Sequence, residues 1–175
     1  WWYVYAYSNA GTLDYEISTT APGASRMFKT GDFTRAYLGC FRPLSSGAPI
    51  PVVASRGHYV YDVGGSLVAS LAVVMSGTSA TYASVPCSTL APPHARIARL
   101  SVRVLGAAVG VGAYVDVQSY GSSSTATHRV FAGQTNLEST GAECDVRIDS
   151  SQRAQYLVAG GGGTATDISV YGFLE

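Results

Sequence analysis

Trp1-Trp2-Tyr3-Val4-Tyr5-Ala6-Tyr7-Ser8-Asn9-Ala10-Gly11-Thr12-Leu13-Asp14-Tyr15-Glu16-Ile17-Ser18 decides the fold class. Its first eight residues set Trp1, Tyr3, Tyr5 and Tyr7 against Trp2, Val4, Ala6 and Ser8. Asn9 to Thr12 reads as a turn, because Asn and Gly tolerate the left-handed backbone. Beyond it Leu13, Tyr15 and Ile17 alternate with Asp14, Glu16 and Ser18. A period of two on both sides of a short turn predicts a β-hairpin, with Leu13, Tyr15 and Ile17 on its dry side and the two acids facing water.

The same style runs through the rest of the 175 residues. Twenty glycines and seven prolines cut the chain into short segments. Strands are expected over Arg35 to Arg42, at Val52-Val53 and over His58 to Val63, with Gly64-Gly65-Ser66 as the next turn. Leu67 to Met75 is the most apolar segment and is expected to be buried on both faces. Ala95 to Leu105 places Ala98, Leu100, Val102 and Val104 inward and Arg99, Ser101 and Arg103 outward. Val109 to Tyr120 presents Val111, Ala113, Val115 and Val117 on one side. Thr125 to Phe131, Cys144 to Ile148, Ala154 to Val158 and Ile168 to Phe173 complete the set. No window sustains a period of 3.6, and the β-branched and aromatic residues favour strands. About a dozen short strands at roughly 10-residue spacing predict an all-β chain, an antiparallel β-sandwich of jelly-roll type. Residues 1–175 are taken as one domain, with 20–34 as the place where an N-terminal hairpin could part from a larger sandwich.

Composition narrows the function. Eleven basic residues balance eleven acidic ones, and only 13% of residues are charged. A nucleic-acid binder needs clustered surplus cations, and a polybasic membrane-surface protein needs the same. Neither fits, and no run of about 18 apolar residues predicts membrane insertion. The chain begins at Trp1 without an initiator Met, which points to a processed chain or a part of a longer one.

Signatures of chemistry are sparse. Cys40, Cys87 and Cys144 lie far apart with neither zinc-ligand spacing nor an even count, and are expected to act as small buried apolar groups. His58, His94 and His128 form no ligand or base motif. Asp14 with Glu16, and Asp145 with Asp149 around Arg147, invite comparison with a glycosidase pair, but their spacing is that of a solvated strand face. Gly160 to Gly163 lacks the Lys-Ser/Thr of a phosphate loop, and Gly110-Val111-Gly112 lacks the third glycine of a dinucleotide fingerprint. No G-x-S-x-G elbow occurs, and neither Asn9 nor Asn136 opens a glycosylation sequon. The chain is therefore expected to be no enzyme and to need no metal or other cofactor. What stands out is aromatic: Trp1, Tyr3, Tyr5 and Tyr7 on one face, and Tyr59 and Tyr61 further on. Such a stripe suits a core, a subunit interface or a sugar-stacking platform.

Several stretches carry a resemblance. Trp2 to Leu13 followed by Glu16 to Pro22, the turn Lys29 to Asp32 with the strand Tyr37 to Gly39, the Pro-containing entry Leu90 to Arg96, and the ending Thr166 to Glu175 are similar to a β-domain of tailed-bacteriophage virion proteins. The likeness touches most of the chain, and its motifs are hairpin and strand signatures. It implies a tail-fibre, head-fibre, collar or decoration module located in the virion. Its partners would be copies of itself, most often three, other virion proteins, and a host surface glycan if the module reaches the cell. It carries over no catalytic or binding residue. Thiols without disulfides suit assembly in a reducing bacterial cytoplasm. The alternatives are a carbohydrate-binding receptor-recognition domain that uses the aromatic stripe, and a fragment of a capsule depolymerase.

Overall fold

A computed structural model describes residues 1–43, 49–55, 57–62, 71–105, 112–123, 128–131, 140–160 and 164–175. The described residues form fourteen strands and no helix, all paired antiparallel. The all-β class and its sandwich-like architecture therefore hold. The turn at Gly64 to Ser66, the start of the Leu67 to Met75 segment, Val109 to Val111, Ser124 to Thr125, Asn136 and Gly161 to Gly163 lie outside the described residues. The chain divides into two compact units, Trp1–Val63 and Gly64–Glu175. Residues 20–34 lie within the first.

The first unit holds β1 (Trp2–Asn9), β2 (Thr12–Ser18), β3 (Phe28–Lys29) and β4 (Asp32–Phe41) in a sheet of order β2-β1-β4-β3. β5 (Val52–Ser55) and β6 (His58–Tyr61) pair antiparallel as a hairpin. β1 and β2 are joined by Ala10-Gly11, whose φ values of 50° and 86° match the two-residue turn that suits the right-handed twist of a hairpin. The turn fixes the register: Tyr3 faces Ser18, Tyr5 faces Glu16 and Tyr7 faces Asp14. Residues directly opposite share a sheet face. The tyrosines and the acids of β2 are therefore on one side, with Leu13, Tyr15, Ile17, Trp2, Val4 and Ala6 on the other.

The second unit contains two four-stranded sets. β8 (Ala83–Pro86), β10 (Tyr114–Ser119), β11 (His128–Phe131) and β13 (Arg153–Ala159) run in the order β11-β10-β13-β8. β9 (Ile97–Leu105), β12 (Thr140–Arg147) and β14 (Ala165–Leu174) run in the order β12-β9-β14, and β7 (Ala72–Gly77) pairs with β14. Ala98, Leu100, Val102 and Val104 of β9 are fully buried, and Arg99, Ser101 and Arg103 point out, as their alternation requires. Val102 lies between Ile168 of β14 and Ala142 of β12, and Leu100 between Val170 and Cys144. A register shift at Tyr171 then lets Phe173 join Ala98 in the core, a phase change that strict alternation does not foresee. Val115, Val117, Tyr156 and Val158 supply the dry face of the other sheet.

Two expectations are corrected here. The segment ending at Met75 is not buried on both faces: Met75 is exposed and Val73 and Val74 are half-buried, because β7 lies beside β14 with only part of its length paired. The dry side of the first hairpin is also inverted. Leu13, Tyr15 and Ile17 are 64%, 59% and 58% exposed, while Tyr3 and Tyr5 opposite the acids are buried.

Candidate functional site

The inverted hairpin organises the first unit. Tyr5, fully buried, donates its hydroxyl to the Thr20 carbonyl at 2.7 Å, and its ring centroid lies 5.8 Å from that of Tyr37. Burial pushes its hydroxyl up to about 12, helped by Tyr3 and Glu16 nearby. Tyr7 donates to Asp14 at 3.0 Å and lies 3.8 Å beneath the Arg35 guanidinium, a cation–π contact. Glu16 is gripped from both sides, by the Lys29 ammonium and by Arg35 Nε at 2.8 Å.

Those contacts hold the carboxylates in their charged form. Hydrogen bonds from Lys29 and then Arg35 draw Glu16 below the usual carboxylate range. The Tyr15 backbone N–H, with Asn9 and Tyr7, does the same for Asp14. Asp14 and Glu16 therefore do not lie on a wet outer face, as their spacing suggested. They face the tyrosine layer, half-buried, with Glu16 balanced by Lys29 of β3 and Arg35 of β4 and Asp14 held by hydrogen bonds.

The opposite face of this sheet has another character. Its register-paired positions are Trp2, Val4, Ala6 and Ser8 on β1, Leu13, Tyr15 and Ile17 on β2, Ala36, Gly39 and Phe41 on β4, and Phe28 on β3. None carries a charge. The Tyr59 ring closes the face at Gly39, where an added Cβ would lie 3.2 Å from the Tyr59 hydroxyl. Leu38 and Phe33 of β4 are exposed as well, Phe33 at 81%.

Of the six aromatic residues singled out in the sequence, Tyr3, Tyr5, Tyr59 and Tyr61 are buried in the chain, and Trp1 and Tyr7 are half-buried. Burial drives the Tyr61 hydroxyl far above its ordinary range. The structure brings Tyr3, Tyr5 and Tyr37 together as packed rings and leaves none of those buried faces open to a ligand.

In the second unit three ion pairs are directly opposed across neighbouring strands. Arg99 faces Asp145 at 3.0 Å, Arg103 is bonded to Asp167, and Arg129 forks onto Asp116 at 2.6 and 2.7 Å. Asp149 pairs with Arg153 rather than with Arg147. His94 bonds the Glu175 carboxylate at 2.7 Å, and His128 Nε2 lies 3.0 Å from the Asp145 carbonyl oxygen. Cys40, Cys87 and Cys144 are buried and form no disulfide. Burial raises the Cys87 thiol to about 12 and the Cys144 thiol to about 11, so both are protonated and unreactive at neutral pH.

Asp116 was overlooked in the sequence. It alternates with Val115 and Val117 and so reads as an outward residue, yet it is nearly as buried as they are. Its partner Arg129 also stacks on Tyr114 at 3.9 Å, with Phe131 against the same ring and exposed. Lys29 and Arg35 as joint partners of Glu16 were likewise missed. The signal was present in the hairpin register, which places the acids of β2 beside the tyrosines.

Neither a protein-family model nor a curated protein matches the chain.

Proposed function

We propose that the chain is a non-enzymatic structural module of a tailed-bacteriophage virion, part of a fibre, collar or decoration, that works by assembling with other protein surfaces. The supporting observation is the two-sided sheet of the first unit. Its charges are turned inward and neutralised, and its outward face is apolar and uncharged. A sheet face left permanently in water normally carries its polar residues outward. Interface cores, by contrast, lose charged residues and gain aromatic ones. The likeness of the hairpin and terminal strand to phage virion β-domains supplies the setting, and with it a homo-oligomer as the assembly.

The test is location. Antibodies against the chain, applied to purified particles of the phage that encodes it, are expected to label one appendage class by electron microscopy. Particles without the label, from lysates that contain the protein, would refute the virion assignment. Contact with a host glycan is a second reading, and Phe131 and Tyr82 favour it as exposed rings in the second unit. Loss of cell adsorption on changing both to Ala, with particles still assembled, would support that reading.

A further inference from the structure

We infer that the uncharged face of the first unit's sheet, centred on Leu13, Tyr15 and Ile17 with Trp2 beside them, is a self-association surface covered by a further copy of this chain. The inference names the partner of the assembly surface proposed above and rests on that reading.

Three features point to a second copy rather than to a charged or polar partner. First, the face offers no charge to complement. The nearest acids, Asp14 and Glu16, point to the opposite side and are already held by Tyr7, Asn9, Lys29 and Arg35. A partner bringing charged groups would strip them of water with nothing to pair them, which opposes binding. A copy of the same face brings none. Second, the area suffices. The exposed parts of Trp2, Leu13, Tyr15 and Ile17, with the half-buried Val4, Ala6, Phe28 and Phe41 of the same face, amount to on the order of 500 Å², taking a whole aromatic side chain as roughly 150–250 Å². Two such faces bury about 1,000 Å² together, the lower bound for a specific interface. Third, β2 is an edge strand of its sheet. Leu13, Tyr15 and Ile17 therefore stand at the rim of the sheet, exposed, with no further strand of that sheet beside them to obstruct the approach of a copy.

The geometry asks for little rearrangement. Alternate residues of a twisted sheet stand perpendicular to it, so two such faces can interdigitate at about 10 Å, as in a sandwich core. Leu13, Tyr15 and Ile17 would supply the ridge, and the half-buried Val4 and Ala6 the shallow floor between.

Sedimentation equilibrium on the full 175-residue chain tests this directly. At tens of micromolar the wild type is expected to sediment as an oligomer, and Ile17→Lys to shift it to monomer by at least a tenfold weaker association. Met75→Lys, at a more exposed position in the second unit, should leave the oligomer unchanged. Unaltered far-UV circular dichroism would show that Ile17→Lys still folds. Should it not fold, hydroxyl-radical footprinting of the wild type decides: Leu13, Tyr15 and Ile17 are protected at high concentration and oxidised after dilution. A monomeric wild type, an oligomer that survives Ile17→Lys, or equal oxidation at all concentrations would overturn the inference. The outcome is independent of particle labelling: an oligomer absent from virions refutes the setting, and a labelled virion with a monomeric chain refutes the self-association.

Discussion

Gly160 offers a sharp test of the packing in the second unit. It follows β13 with φ of 133°, a conformation that costs an L side chain about 1–3 kcal/mol. A Cβ placed there would lie 2.5 Å from Ala113 Cα and 2.6 Å from Ala113 Cβ, well inside contact distance. The obstacle is backbone rather than the tip of a flexible side chain, so the strand must shift, at a further cost of about 1–3 kcal/mol. Gly160→Ala should therefore destabilise by about 4 kcal/mol, a large part of the roughly 5–15 kcal/mol that keeps a domain folded. Gly11→Ala is the control, because φ there is 86° but nothing lies within 4 Å of the added Cβ. It should cost only about 1–2 kcal/mol. Urea denaturation followed by far-UV circular dichroism measures both. With a slope of about 2 kcal/mol per molar, Gly160→Ala moves the affected midpoint down by about 2 M. A Gly160→Ala variant within 1 kcal/mol of wild type, or a Gly11→Ala variant equally damaging, would refute the close approach to Ala113.

Acid should loosen the first unit. Asp14, Glu16 and Asp32 are all held below their ordinary range in the fold, so their contribution is complete above the unfolded carboxylate value of about 4 and falls away as pH drops through the folded values. Fluorescence of Trp1 and Trp2, both in that unit, should report a melting temperature that is flat from pH 8 to 5 and falls below 4; no fall by pH 2 would contradict the network. Tyr5→Phe removes the hydroxyl that satisfies the Thr20 carbonyl and should cost about 1 kcal/mol by thermal melting, whereas no change would mean that the bond contributes nothing. Cys87 and Cys144 should resist a thiol-specific disulfide reagent at pH 8 and react once urea unfolds the chain; rapid labelling of the native protein would show that their burial is not maintained.

How much of this was legible depends on the element. The strand character of Ile97–Leu105 and Trp2–Ser18 follows from alternation alone, because a period of two sends every second side chain to the same face whatever surrounds it. Even the hairpin register was readable, since a two-residue turn at Ala10-Gly11 pairs Tyr5 with Glu16 and Tyr7 with Asp14. That pairing makes a tyrosine core and a Leu13-Tyr15-Ile17 core mutually exclusive on this sheet. Hydropathy alone chooses the second. The fold chooses the first, because Lys29 and Arg35, 13 and 19 residues beyond Glu16, arrive on β3 and β4 to neutralise it.

Asp116 makes the same point in the second unit. Local alternation labels it an outward acid, and only the arrival of β11 places Arg129 directly across from it and allows its burial. The sequence by itself determined which segments extend and which residues share a face, since both depend on neighbours within a strand and its turn. Which face is inside depends on groups that only folding brings together. Charge neutralisation at a distance of many residues leaves no periodic trace, so the apolar outer face of the first unit, and with it the candidate assembly surface, was decided by the tertiary structure.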